Sequence, residues 1–154
     1  MKALGIAICL AVCITVATSL PVLASTPEQE LAGILERAIK VMDAMIKGGY
    51  TIEHIELDSA KLGEVYSVPY NLYAGNVYKI IGIGGTGIAD LDMHISDSNN
   101  NLLAADTLND DVPEVDVSPK ADGSFRIDIS FESLEPGASA SEYYYFCYIV
   151  GFKQ

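Results

Sequence analysis

Gly82-Ile83-Gly84-Gly85-Thr86-Gly87-Ile88-Ala89-Asp90-Leu91-Asp92-Met93-His94-Ile95-Ser96 is the stretch on which the fold turns. Its first six residues fit the G-x-G-x-x-G pattern, which between a strand and a helix cradles a dinucleotide pyrophosphate. The residues that follow do not make a helix. They alternate, with Leu91, Met93 and Ile95 on one side and Asp90, Asp92 and His94 on the other, which is the period of a half-buried strand. No helix N-terminus is there to hold a phosphate, and the two carboxylates would repel one. The stretch reads as strand, flexible glycine hairpin connection, strand, and the doubly wound nucleotide-binding fold is excluded.

The same period of two runs outward in both directions. Strands are expected at Tyr50–Leu57, Glu64–Tyr70, Val77–Ile83, Asp90–Ser96, Leu102–Asp106, Glu114–Val117, Ser124–Phe131 and Glu142–Phe152. Clusters of Gly, Pro, Asn and Asp separate them, as in an antiparallel all-β domain. Eight strands at this spacing predict a mainly β fold, a jelly-roll-like antiparallel β-sandwich. In the last strand Tyr143, Tyr145, Cys147 and Ile149 face one way while Tyr144, Phe146, Tyr148 and Val150 face the other. Both faces are apolar or aromatic, so the outer one needs a cover or forms a tyrosine-lined groove.

Upstream, the period is 3.6. Leu31, Ile34, Leu35, Ala38, Ile39, Met42, Met45 and Ile46 recur at three and four residues, and Glu36–Lys40 and Asp43–Lys47 form i,i+4 pairs. Thr26 as N-cap, Pro27 at the first helical position and Gln29 in a capping box mark the start, and Gly48-Gly49 marks the stop. The preceding helix, residues 27–47, is amphipathic with a face wider than a coiled-coil seam. That face packs on the sandwich or self-associates.

Residues 1–24 read as a secretory signal peptide, with Lys2 ahead of an apolar run and Pro21-Val22-Leu23-Ala24 as the cleavage site. An uncleaved anchor is the competing reading. The expected organisation is a leader over 1–24, the helix within 25–49 and the sandwich over 50–154. Cleavage would leave eight basic residues against 21 acidic ones, a net charge of −13. Such a chain lacks the clustered cations that nucleic acid or an anionic membrane requires, and the expected location is secreted or periplasmic. Cys147 would be the single cysteine, unable to form an internal disulfide and flanked by aromatics as a buried residue is.

Candidate site residues fall into two groups. Asp90, Asp92, Asp97, Asn99 and Asn101 offer hard oxygen ligands suited to Ca²⁺, although Leu102 and Leu108 replace the Gly and Glu that an EF-hand loop needs. Ordinary Asx-turn chemistry on a solvated face is the plainer reading. Tyr143, Tyr144 and Tyr148 could bind a ligand by stacking. Catalytic motifs are missing: the chain has no G-x-S-x-G and no H-E-x-x-H, and its only histidines are His54 and His94.

Several segments resemble the bacterial pre-peptidase C-terminal domain over about residues 60–152. Leu72-Tyr73-Ala74-Gly75-Asn76-Val77-Tyr78, Ala89–Asp97 with its Asp90-Leu91-Asp92 core, and Gly123-Ser124-Phe125-Arg126-Ile127-Asp128-Ile129 carry the likeness in that order. The resemblance implies a jelly-roll-like accessory module of exported enzymes, without catalysis, which in some members binds calcium or a protein polymer such as collagen. The expected function is an exported, non-catalytic binding or accessory module for a protein or polymer ligand, with Ca²⁺ as a candidate cofactor. Two alternatives stand beside it: a helix-mediated partner of another exported factor, and a hydrolase using surface carboxylates.

Overall fold

The structure, a computed structural model, describes residues 26–154, and the expected leader lies outside them. The chain runs through one helix, α1 (Pro27–Lys47), and eight strands: β1 (Thr51–Ala60), β2 (Val65–Leu72), β3 (Val77–Gly84), β4 (Ile88–Ser96), β5 (Leu102–Asp106), β6 (Glu114–Val117), β7 (Gly123–Leu134) and β8 (Tyr144–Lys153). Two antiparallel four-stranded sheets result, ordered β1-β8-β3-β6 and β2-β7-β4-β5. First pairs with last, second with seventh, third with sixth and fourth with fifth, which is the winding of a jelly roll. β1 continues to Ala60 rather than stopping at Leu57, because Asp58, Ser59 and Ala60 stay in register with Phe146, Tyr145 and Tyr144 of β8. Ladder pairing there overrides the loss of apolar alternation.

Alternation sorts the side chains. Leu91, Met93 and Ile95 of β4 meet Ile127, Ile129 and Phe131 of β7 and Tyr78, Ile80, Phe146, Tyr148 and Val150 of the facing sheet, forming the main core. The other face of β8 and β3 presents Cys147, Ile149, Ile81 and Ile83, and α1 covers these with Ile34, Ala38 and Met45. The expectation that the helix covers the doubly apolar last strand therefore holds. Full burial of each large apolar side chain at that contact stabilises by roughly 1.5–3 kcal/mol. Cys147 is fully buried here, and burial pushes its thiol pKa up to about 11.

Local chemistry fixes the helix ends. Thr26 Oγ1 accepts from the Gln29 backbone N–H, and Gln29 Oε1 accepts from the Thr26 N–H at 3.0 Å, closing the capping box. At the other end Gly49 turns the chain with φ +84°. Arg37 tethers the middle of α1, donating to the Gly84 carbonyl at 2.7 Å and pairing with Asp111 at 2.7 Å.

The glycine run is not a hairpin connection, and here the expectation is corrected: it carries the chain from β3 in one sheet to β4 in the other. A Cβ on Gly85 would lie 2.5 Å from the Tyr145 carbonyl oxygen and 2.9 Å from Ile34 Cδ1. At Gly87, with φ +98°, a Cβ would strike the Tyr144 ring at 2.5 Å. These residues are small because helix, turn and last strand converge on them.

Candidate functional site

The acidic residues do not assemble into one site. Asp90 and Asp97 lie at opposite ends of β4, roughly 20 Å apart at the rise of an extended strand. Asp97 serves its own loop: Oδ1 accepts from the backbone N–H groups of Asn99 and Asn101, and Oδ2 accepts from Asn101 Nδ2 at 2.8 Å. The Asn101 side-chain bond, then its backbone bond, hold the Asp97 carboxyl below its ordinary value. This is the Asx-turn geometry, with Asn100 at φ 63°. Asp92 is nine-tenths buried on the outer face of β4. Burial first, then the carboxylates of Asp90 and Glu132, push its pKa up. Among the described residues no group of three or more His, Cys, Asp or Glu side chains is placed to hold a metal ion.

The three tyrosines are separated as well. Tyr148 is fully buried between the sheets and reaches no surface ligand. The Tyr144 hydroxyl accepts from the Ser139 N–H at 2.7 Å and donates to the Ser139 carbonyl at 3.0 Å, closing the loop before β8. Only Tyr143 stands exposed, with the Lys61 ammonium 4.5 Å from its ring centroid. The expected stacking platform is not built.

Sequence reading missed the polar network around Tyr148. Its hydroxyl donates to Glu56 Oε2 at 2.5 Å, Tyr66 donates to Glu56 Oε1 at 3.0 Å, and His54 Nε2 lies 3.1 Å from Oε2. The bonds from Tyr148 and then His54 lower the Glu56 pKa. Desolvation first, and the Glu56 bond next, push Tyr66 up to about 12. Two phenols and the His54 ring thus converge on one carboxylate. The network joins β1 to β2 of the opposite sheet and acts as a fastening.

A hollow of about 520 Å³ opens at one end of the sandwich between the Asp97 loop, the start of β5 and the connection from β6 to β7. Leu103, Val117, Pro119 and Phe125 supply its apolar lining, and Asp116, Lys120 and Asp122 its polar groups. A second hollow of about 220 Å³ shares Asp97, Ser98, Ser124 and Phe125 with the first and adds Ser67, Pro69, Asn100 and Arg126. The two lie on either side of these shared residues, and the larger is in the size range of ligand sites. Their walls are braced. Asp122 accepts from the Ala74 N–H at 2.8 Å, and Arg126 donates to Asn100 Oδ1 at 2.6 Å and to Asp128 at 2.8 Å. Lys120–Gly123 reads in sequence only as a turn, so Lys120, Phe125 and Arg126 gave no site signal; the winding of the sheets brings them beside Asp97.

No known family model matches the sequence, and no curated protein matches it.

Proposed function

We propose that the chain is an exported, non-catalytic binding module that takes an extended protein or protein-polymer segment in the groove between the Asp97 loop and the β6–β7 connection. The observation that carries this reading is that two neighbouring hollows have Asp97, Ser98, Ser124 and Phe125 in common as lining, so that a chain could run from one to the other. Such a path suits a chain-like ligand better than a compact one. Its apolar lining would take a side chain or ring while Lys120, Arg126 and Asp122 pair with the polar backbone and charges around it. The resemblance to pre-peptidase C-terminal domains points to the same ligand class.

The test is cosedimentation of the purified protein with collagen, other fibrous proteins and insoluble glycans, using wild type, Phe125→Ala and Lys120→Glu. Retention of wild type by a protein polymer and its reduction in both variants is the expected result. Absence of retention on every matrix, or equal retention of all three proteins, would overturn the reading.

A further inference from the structure

We infer that the chain pairs with a second copy of itself through the outer flank of α1 and the adjoining strand β1. The broad apolar stripe of the helix divides in the folded protein. Ile34, Ala38 and Met45 go into the contact with the sheet, while Leu35, Ile39 and Ile46 are left outside, Ile39 at 63% and Ile46 at 58% exposure. With the half-buried Met42 these residues are spaced four, three and four apart. That is the a/d repeat of a helix-pairing seam, with isoleucine at both a positions and leucine or methionine at d.

The seam does not stand alone. In the β1–β8 ladder Ile55 lies opposite Ile149 and Leu57 opposite Cys147. Ile149 and Cys147 are the residues that α1 covers, so Ile55 and Leu57 sit one strand spacing further out on the same face, exposed at 41% and 38%. Glu56 and Asp58 alternate to the opposite face. A single apolar trough thus runs between the helix flank and the strand.

Its edge is also the longest of the open ones. Among the four edge strands β6 has four residues, β5 has five, and β2 carries Pro69, each a way of preventing edge-to-edge pairing. β1 has ten residues with neither Pro nor Lys; after a bulge between Ile52 and His54 it runs in regular register to Ala60, and among the described residues its outer edge pairs with no strand. Antiparallel pairing of β1 with its own copy about a twofold axis would fill that edge and bring the two helix seams together over the extended sheet.

Charge and size favour a second copy as the occupant. The whole chain carries −12, yet α1 holds four acidic and three basic residues, and Glu36–Lys40 and Asp43–Lys47 neutralise each other on it. The helix half of the interface therefore adds little repulsion between two copies, and of the β1 carboxylates Glu56 and Asp58 lie on the opposite face of the strand. A 21-residue helix and a ten-residue strand are each about 30 Å long, so a face one helix (about 10 Å) and one strand spacing (about 5 Å) across offers roughly 450 Å² per copy, the size of a weak, concentration-dependent dimer.

The test is sedimentation equilibrium of wild type, Ile39→Glu and Ile55→Glu through the micromolar range. Both sites are exposed, and far-UV circular dichroism of each variant confirms the fold. A wild-type dimer whose dissociation constant rises at least about tenfold in each folded variant is expected. A monomeric wild type would overturn the inference and assign the trough to a different protein. A dimer unaffected by both substitutions would overturn it by placing the interface elsewhere. Neither substitution touches the groove of the proposed binding function, so the two readings fail independently.

Discussion

The carboxylate of Glu56 accepts a 2.5 Å hydrogen bond from the hydroxyl of Tyr148, its direct cross-strand neighbour in the β1–β8 ladder. Tyr148 is fully buried, and Tyr66 reaches the same carboxylate from the opposite sheet. Tyr148→Phe removes a bond to a charged acceptor and is expected to cost about 1–2 kcal/mol, read as a fall of a few degrees in Tm. Glu56→Ala should cost more, because it leaves two phenols unpaired. Thermal unfolding monitored by circular dichroism decides it, and a Tyr148→Phe protein melting with wild type would remove the network from the stability account.

Glu56 and Asp92 titrate with opposite consequences. The folded pKa of Glu56 is depressed, so its contribution is present above the ordinary Glu value of about 4.3 and lost as pH falls through the lower folded value. The folded pKa of Asp92 is raised by burial and by Asp90 and Glu132, so its ionised form costs stability. That cost is absent below the ordinary Asp value of about 3.9 and complete once pH exceeds the raised value. Asp92→Asn is therefore expected to raise Tm at pH 7, with the gain disappearing in acid. A pH series of melts on wild type and the variant checks it; a lower Tm at pH 7 would contradict the assignment.

Gly85 is held small by its neighbours. Its N–H donates to the Tyr145 carbonyl at 2.9 Å, and a Cβ would press on that same oxygen while also meeting Ile34 of the helix. Gly85→Ala cannot be accommodated by moving one flexible side chain, since backbone is the nearest neighbour. The expected cost is about 1–3 kcal/mol, the usual penalty of overpacking. Hydrogen exchange should show the loss concentrated in the first half of α1 and the start of β8. Retention of wild-type Tm would show that the helix rides loosely on the sheet.

The fold was legible because its signals are periodic. The alternation of Leu91, Met93 and Ile95 against Asp92 and His94, and the capping box at Thr26, each determine a local conformation without help from distant residues. The doubly apolar strand around Cys147 even announced its helical cover. Sites are not periodic, and their members converge only after winding. Phe125 and Arg126 meet Asp97 because β7 lies beside β4, and Glu56 meets Tyr66 because the sandwich closes β1 over β2. Acidic density in Asp90–Asn101 looked like a site in one dimension, but extended backbone separated its ends. The glycine run escapes a sequence reading for a related reason: what fills the space beside Gly85 is Tyr145 backbone and Ile34 of the helix, each more than fifty residues away.

The Asp97 loop separates calcium chemistry from turn chemistry. Two backbone N–H groups and the Asn101 amide already use three of the roughly four lone-pair sites of its carboxylate, which leaves little capacity for a cation. Millimolar Ca²⁺ after EDTA treatment is accordingly expected to leave the wild-type Tm unchanged, whereas occupancy of a native site at 100 times its Kd would add about 2.7 kcal/mol. Asp97→Ala removes the acceptor and should lower stability by about 1 kcal/mol, comparable to the loss of a helix N-cap. Asp97→Asn keeps an acceptor oxygen and should recover part of that loss. The same substitutions bear on the groove, because Asp97 lines both of its hollows. Loosening the loop should weaken polymer retention in Asp97→Ala more than in Asp97→Asn, with or without EDTA. A clear rise of the wild-type Tm on adding Ca²⁺, abolished in both variants, would instead make the loop a cation site and the turn its scaffold.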